Sequence, residues 1–239
     1  MLWHESANFP IPNHKKGKAM EIVIGGLITI LTAIFIEYLR RPVLQLSIET
    51  PPYDITYRDQ RPAVYARYLR LKLFNKPLPT IFRWMLRSPA LQCRGTITFH
   101  HLNDGQNIFD RAMSVRWVSS PEPVPVQVLG QGVQFKIIDP VRLTAESRID
   151  VYPGETELLD VAARFDNEDE CYGWNNEAYF SPVPWRSQQW KLERGRYLVK
   201  VDITSSGRRC VSIFRLLNDV PRTDFRLIPA DKSDLSKIH

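Results

Sequence analysis

The chain has 239 residues, 44% hydrophobic and 24% charged, with 32 Lys and Arg against 26 Asp and Glu for a net charge of +6. That balance describes a globular protein rather than a disordered one, and a positive excess so mild and so spread along the chain gives no reason to expect a nucleic-acid partner. Three cysteines without a CxxC spacing argue against a disulfide framework, and 18 prolines against 11 glycines favour a loop-rich β protein over a helical bundle.

Residues 1–19 read as a flexible tail, with two prolines, no periodicity and a basic cluster at Lys15, Lys16 and Lys18. Met20, directly before the first apolar run, is an alternative start.

Residues 20–41 are the only strongly apolar stretch. Ile22 to Ile36 holds ten Ile, Leu, Val or Phe residues and no charge. On the insertion scale those ten contribute on the order of −3 to −6 kcal/mol. Counted from Met20 to Leu39 the run gives a helix of about 30 Å, the thickness of a bilayer's hydrocarbon core. Glu37 lies within helical reach of Arg40 and Arg41, and Tyr38 suits the membrane interface. A cleaved signal peptide fits less well, because Glu-Tyr-Leu-Arg-Arg follows the run instead of small residues. The stretch therefore reads as a single transmembrane helix. Gly25, Gly26, Thr29, Thr32 and Ala33 fall within about one third of its circumference, a small-residue face that lets helices approach closely in lipid. The expected partners are the bilayer and, through that face, another transmembrane protein or a second copy. Charge does not orient the span if the tail is present. If Met20 is the start, the arginines place the domain in the cytoplasm, and unpaired cysteines agree.

From Pro42 the period changes to two. Leu44, Leu46 and Ile48 alternate with polar residues up to Pro51-Pro52, and 53–62 read as a polar connection. Leu69, Leu71 and Leu73 alternate with Arg70 and Lys72. Thr80 to Ser88 reads as a short helix or an apolar loop. Cys93, Ile97 and Phe99, then Met113, Val115 and Trp117, mark further strands, with a turn signal at Asp104-Gly105 between them. Residues 119–145 are irregular, with a strand at 132–138. Ile149 to Tyr152 leads into a Pro153-Gly154 turn. Glu157 to Phe165 fits a strand and a helix equally. Residues 195–204 and 208–217 form the clearest hairpin, and 221–239 read as a polar tail.

Eight or nine short strands without long helices between them predict a mainly β fold: an antiparallel β-sandwich over 42–220 behind one N-terminal transmembrane helix. The Gly195-x-Tyr-x-Val-x-Val run and its hairpin return resemble the final strands of immunoglobulin- or fibronectin-type sandwiches. The resemblance covers about residues 192–217, and it lacks the Cys…Trp…Cys arrangement of antibody domains.

Chemistry-bearing patterns are weak. His100 and His101 are adjacent in a strand and point to opposite faces, a poor start for a metal site. Asp166, Glu168, Asp169 and Glu170 form an acidic loop without an Asp-x-Asp-x-Asp-Gly pattern. Basic and aromatic residues interleave from Trp185-Arg186 through Trp190-Lys191 and Arg196-Tyr197 to Arg208-Arg209, which also describes the solvent face of a strand. No nucleophile elbow, P-loop or dinucleotide fingerprint occurs, and Gly130-Gln-Gly132 is not followed by a helix signal. No catalytic residue, metal or cofactor is therefore expected. The function expected is a non-enzymatic membrane-anchored interaction module, an accessory or scaffolding subunit. The alternative is a tethered sensor that binds a small anionic molecule at the sandwich, near Trp84 or in the Trp174–Trp190 region.

Overall fold

The computed structural model describes residues 14–57, 64–82, 84–123, 126–129, 133–136, 139–141, 147–166, 168–181, 185–206 and 208–238. The first thirteen residues of the expected tail, Gly130 and Gly132, Pro182 and Pro184 lie outside this set. The chain divides into two compact units, the N-terminal helix with Leu78–Arg87, and Pro42–Pro77 with the chain from Ser88 onward.

In the first unit, helix α1 (His14–Arg40) starts six residues before the expected boundary, so the last part of the expected tail is helical. Its span from Met20 to Arg40 has a mean hydropathy of 2.2, and most of its apolar side chains are exposed. Gly25, Gly26, Thr29, Thr32 and Ala33 are exposed as well. A Cβ at either glycine would meet nothing within 4 Å. Both threonine hydroxyls donate to the helix's own carbonyls, Thr29 to Gly25 at 2.9 Å and Thr32 to Ile28 at 2.8 Å. At the C-terminal end the Arg41 guanidinium lies 5.9 Å from the Tyr38 ring centroid, and among the described residues no ion pair joins Glu37 to Arg40 or Arg41.

The second unit is an antiparallel β-sandwich. In chain order its strands are β1 (Leu44–Ile48), β2 (Tyr53–Tyr57), β3 (Val64–Asn75), β4 (Ala90–His101), β5 (Met113–Ser114), β6 (Arg116–Trp117), β7 (Val126–Leu129) and β8 (Val133–Lys136). They continue with β9 (Ile149–Val151), β10 (Thr156–Phe165), β11 (Cys171–Gly173), β12 (Lys191–Leu192), β13 (Arg196–Ser205), β14 (Arg208–Leu217) and β15 (Arg226–Pro229). One sheet runs β1-β3-β10-β11-β12, with β2 also on β3 and β6 also on β10. The other runs β15-β14-β13-β4-β5, with β9 on β4. The expected Met113–Trp117 strand is split between them: β5 pairs with β4 and β6 with β10. The chain thus changes sheets within five residues.

The inward side chains of the two sheets share one core. Leu69, Leu71 and Leu73 of β3 and Leu159 of β10 pack with Ile97 and Phe99 of β4 and Val199, Val201 and Ile203 of β13. A second, smaller cluster lies on the outer face of the first sheet: Ala66, Tyr68, Ala163, Phe165, Tyr172, Trp174 and Ala178. Strands β3 and β10 therefore bury both faces. That explains why Glu157 to Phe165 shows no clean alternation and fits a helix template as well as a strand.

Three expectations are corrected. The polar connection at 53–62 contains β2, paired with β3 from Tyr53 to Tyr57. In the 119–145 region β8 lies inside the strand expected at 132–138, and the correction is β7, which pairs with it. The C-terminal segment is no free tail: β15 extends the second sheet, Phe225 and Leu227 enter the core, and helix α2 (Lys232–Leu235) follows behind an Asp231 capping box. β2 and β15 are short, and β15 itself buries only Leu227, so little period is left to read in them. The Pro153-Gly154 turn is present, with Gly154 at φ +87 and the Glu155 amide donating to the Tyr152 carbonyl at 3.0 Å, the arrangement that needs glycine at the third position.

Cys93 is buried in the shared core, and burial, helped by nearby Asp150, pushes its thiol up to about 11. The folded state thus keeps the thiol neutral at a pH where the unfolded chain, at about 8.5, ionises it. This stabilising difference is fully present below the unfolded value and is lost as pH rises toward about 11. Urea midpoints are expected to be level from neutral pH to about 8.5 and to fall above it. The fall should be shallower in Cys93→Ala; equal slopes in the two proteins would contradict the assignment.

Candidate functional site

The outer face of the first sheet carries a cavity of about 300 Å³ whose floor is a row of charges. Strand β3 alternates, so with Leu69 and Leu71 turned inward, Tyr68 and Arg70 point out. Asp160 of β10 stands directly opposite Arg70 on one side and opposite Arg116 of β6 on the other. Arg70 Nε donates to Asp160 Oδ1 at 2.8 Å, and Arg116 Nη1 donates to Oδ2 at 2.5 Å. Each carboxylate oxygen thus takes one guanidinium, and a single buried anion holds two cations. Asp160 is 1% exposed and Arg116 is 6% exposed, so neither charge would be tolerated there alone. A β-bulge between Asp160 and Ala162 lies beside the row. It lets Asp160 face outward ahead of it and Ala163 and Phe165 face outward beyond it.

Aromatic rings wall the row. The Arg70 guanidinium lies 4.1 Å from the Tyr53 ring centroid and Arg116 lies 5.8 Å from that of Tyr179. Tyr68 meets Trp174 edge to face at 4.9 Å, and Trp174 meets Tyr179 at 6.1 Å. Trp174 and Tyr179 come from the segment after β11, where a 3-10 turn (Asn176–Phe180) is capped by the buried Asn175 side chain accepting from the Glu177 amide. Trp185 completes the wall from a backbone at φ +61, a left-handed conformation that is costly for a bulky residue.

Burial pushes the Tyr179 hydroxyl well above its usual range, and its bond to Glu122 at the exposed rim adds to the shift. Burial also works against the charge on Arg116, but Asp160, Tyr179 and Glu122 outweigh it and raise its pKa. Arg116 is therefore a permanent cation at any physiological pH and moves no proton. The Arg116 Nε is buried without an acceptor. The lining contains no histidine, cysteine, serine or lysine among the described residues. Such an arrangement can hold a ligand by stacking and charge-assisted hydrogen bonds.

The residues singled out from the sequence lie elsewhere, with one exception. His100 uses both ring nitrogens locally, Nδ1 with the Gly105 carbonyl at 2.9 Å and Nε2 with the Thr98 hydroxyl at 2.8 Å, and burial lowers its pKa. The acidic loop is spent on ion pairs: Asp166 with Arg222, Glu168 with Arg186, Asp169 with Arg164 and Glu170 with Lys191. Among the described residues no three His, Cys, Asp or Glu side chains gather to hold a metal. The basic residues beside the aromatics are likewise paired, Arg196 with Asp219 and Arg209 with Asp202, while Trp190 is buried and donates to Glu177 at 2.7 Å. The exception is the Trp174–Trp190 region, which supplies Trp174, Tyr179 and Trp185 to the cavity.

Sequence reasoning missed Arg70, Arg116 and Asp160. The signal was there: each is a charged residue inside an apolar strand, in Leu69-Arg70-Leu71, Val115-Arg116-Trp117 and Leu159-Asp160-Val161. An ion so placed requires a partner of opposite sign.

No protein-family model matches this chain, and neither a curated protein nor a solved structure matches it.

Removing one partner of the row should cost far more than replacing all three. Asp160→Ala is expected to lose about 3–5 kcal/mol in urea unfolding, and a Met/Leu/Met replacement of Arg70, Asp160 and Arg116 should recover most of it. A loss below about 1 kcal/mol for the single variant would mean the row is not buried as described.

Proposed function

We propose that this chain is a membrane-anchored interaction module, an accessory or scaffolding subunit in which α1 spans the bilayer and the β-sandwich meets a protein partner. The observation that carries the reading is the span itself. Twenty-one residues from Met20 to Arg40 expose a predominantly apolar surface, and they lead within a few residues into the folded β domain. Its threonines satisfy their hydroxyls internally, as lipid requires. The open face of Gly25, Gly26, Thr29, Thr32 and Ala33 suits close packing against another transmembrane helix or a second copy. Glu37, Tyr38, Arg40 and Arg41 form the interfacial end of the span. The domain stands on the cytoplasmic side, where the free thiols of Cys93, Cys171 and Cys210 stay reduced. The β13–β14 hairpin gives the sandwich its immunoglobulin-like character.

The test is association in membranes. A Gly25→Leu, Ala33→Leu double variant is expected to weaken assembly about tenfold, the equivalent of one close helix contact. Single-molecule mass measurement in nanodiscs, together with enrichment of membrane proteins from the host, reads the outcome. A strictly monomeric protein that enriches no membrane protein would sink the proposal.

The cavity favours a second reading, a tethered sensor of a small anionic molecule. The unmatched Arg116 Nε and the stacked Arg70 are the groups a carboxylate or phosphate would complete, and the aromatic walls suit a ring. At a ligand concentration of 100 Kd the domain gains about 2.7 kcal/mol, a rise in Tm of roughly 5–10 °C. Tyr53→Ala, at a half-exposed wall position, should abolish that rise. A screen of nucleotides and inositol phosphates that leaves Tm unmoved excludes this reading.

A further inference from the structure

The first unit contains more than the helix. Leu78–Arg87, the connection between β3 and β4, forms one compact unit with α1. It is built to show apolar side chains. The Phe82 amide donates to the Pro79 carbonyl and the Met85 amide to the Phe82 carbonyl, each at 2.9 Å, giving two successive tight turns. Ile81, Trp84 and Leu86 project from them with exposures of 78%, 74% and 80%, as high as that of Ile22 in the span, 75%. Three large side chains so exposed on one short loop form a patch that water does not favour.

The loop is fixed to the emerging end of the helix. Arg87 Nη1 donates to the Arg41 carbonyl at 2.5 Å, and the Arg41 amide donates to the Tyr38 carbonyl at 3.4 Å. The patch is therefore continuous with the interfacial end of the proposed span, where Tyr38, Arg40 and Arg41 sit. Its composition is that of an interface-seeking element: one Trp among aliphatic residues, with Arg83 and Arg87 in the same stretch. We infer that Leu78–Arg87 is a second membrane contact, a loop that inserts Ile81, Trp84 and Leu86 into the headgroup–acyl boundary of the leaflet from which α1 emerges. The inference rests on the reading of α1 as a span. It turns a single flexible tether into a two-point attachment. A helix alone leaves a domain free to swivel about its axis, whereas a helix plus an inserted loop fixes which side of the unit faces lipid.

The test uses the full chain in nanodiscs of phosphatidylcholine and phosphatidylglycerol, with Cys210→Ser to remove the half-buried thiol. Trp84→Cys and Leu86→Cys carry an environment-sensitive fluorophore, Ile28→Cys reports on the span, and Val211→Cys on β14 reports on solvent. The loop labels are expected to be quenched by lipids bearing a shallow nitroxide, and by aqueous iodide at least about threefold less than the Val211 label. Iodide quenching equal to that at Val211, with the Ile28 label still quenched by lipid, overturns the loop contact and leaves the anchor intact. Shielding of the loop labels from both quenchers assigns the patch to a protein partner and also overturns it. An Ile28 label that lipid does not quench overturns the anchor reading itself, and this inference with it.

Discussion

Strand β3 has to bury both of its faces, and much of the domain follows from that. It pairs with β1, β2 and β10, and every second side chain belongs to a different neighbourhood. Leu69, Leu71 and Leu73 enter the core shared by the two sheets, while Ala66, Tyr68 and Arg70 face outward. An outward face of this kind would ordinarily be solvated. Here it is covered by Trp174 and the segment behind it, so Arg70 ends up at the bottom of a cavity instead of in open water. The register that fills the core is the same register that sets Arg70 opposite Asp160.

A buried carboxylate between two guanidiniums is a poor way to gain stability, since desolvation consumes most of the attraction. A hydrophobic trio would serve the fold as well or better. The row's other property is that it leaves one excess positive charge, which Glu122 faces from the rim of the same cavity, and an unmatched donor beneath aromatic rings. Trp185 in a left-handed backbone and the bulge beside Asp160 add two further local costs at the same place. Costs gathered on one face of an otherwise regular sandwich are why this cavity stands out from the larger, more exposed hollow lined by Arg111 and Glu177.

The sequence revealed the parts of the fold whose two faces differ. The hairpin expected at 195–204 and 208–217 is found at Arg196–Ser205 and Arg208–Leu217, where Val199, Val201 and Ile203 alternate with Lys200, Asp202 and Thr204. The apolar helix was legible from its lack of charge alone. Period two is erased where both faces are buried, as in β10, and it is too brief to read in β2, β6 and β15. The charged row was illegible for a different reason. Its three members lie 46 and 44 residues apart in sequence, and only the pairing of β3, β10 and β6 makes them neighbours. What the sequence did hold was each member's misplacement among apolar residues.

The crossing of Met113–Trp117 from one sheet to the other gives the domain a point that tolerates no change of length. Ser114 pairs with Thr96 in one sheet, and two residues later Arg116 pairs with Asp160 in the other. Val115, between them, is anchored by its amide to the Gly95 carbonyl at 2.9 Å. Insertion or deletion of one residue here would exchange the directions of Arg116 and Trp117, sending a guanidinium into the hydrophobic core and an indole into the cavity. Within any set of descendants of this chain the spacing of this five-residue crossing should outlast the identity of the residues around it.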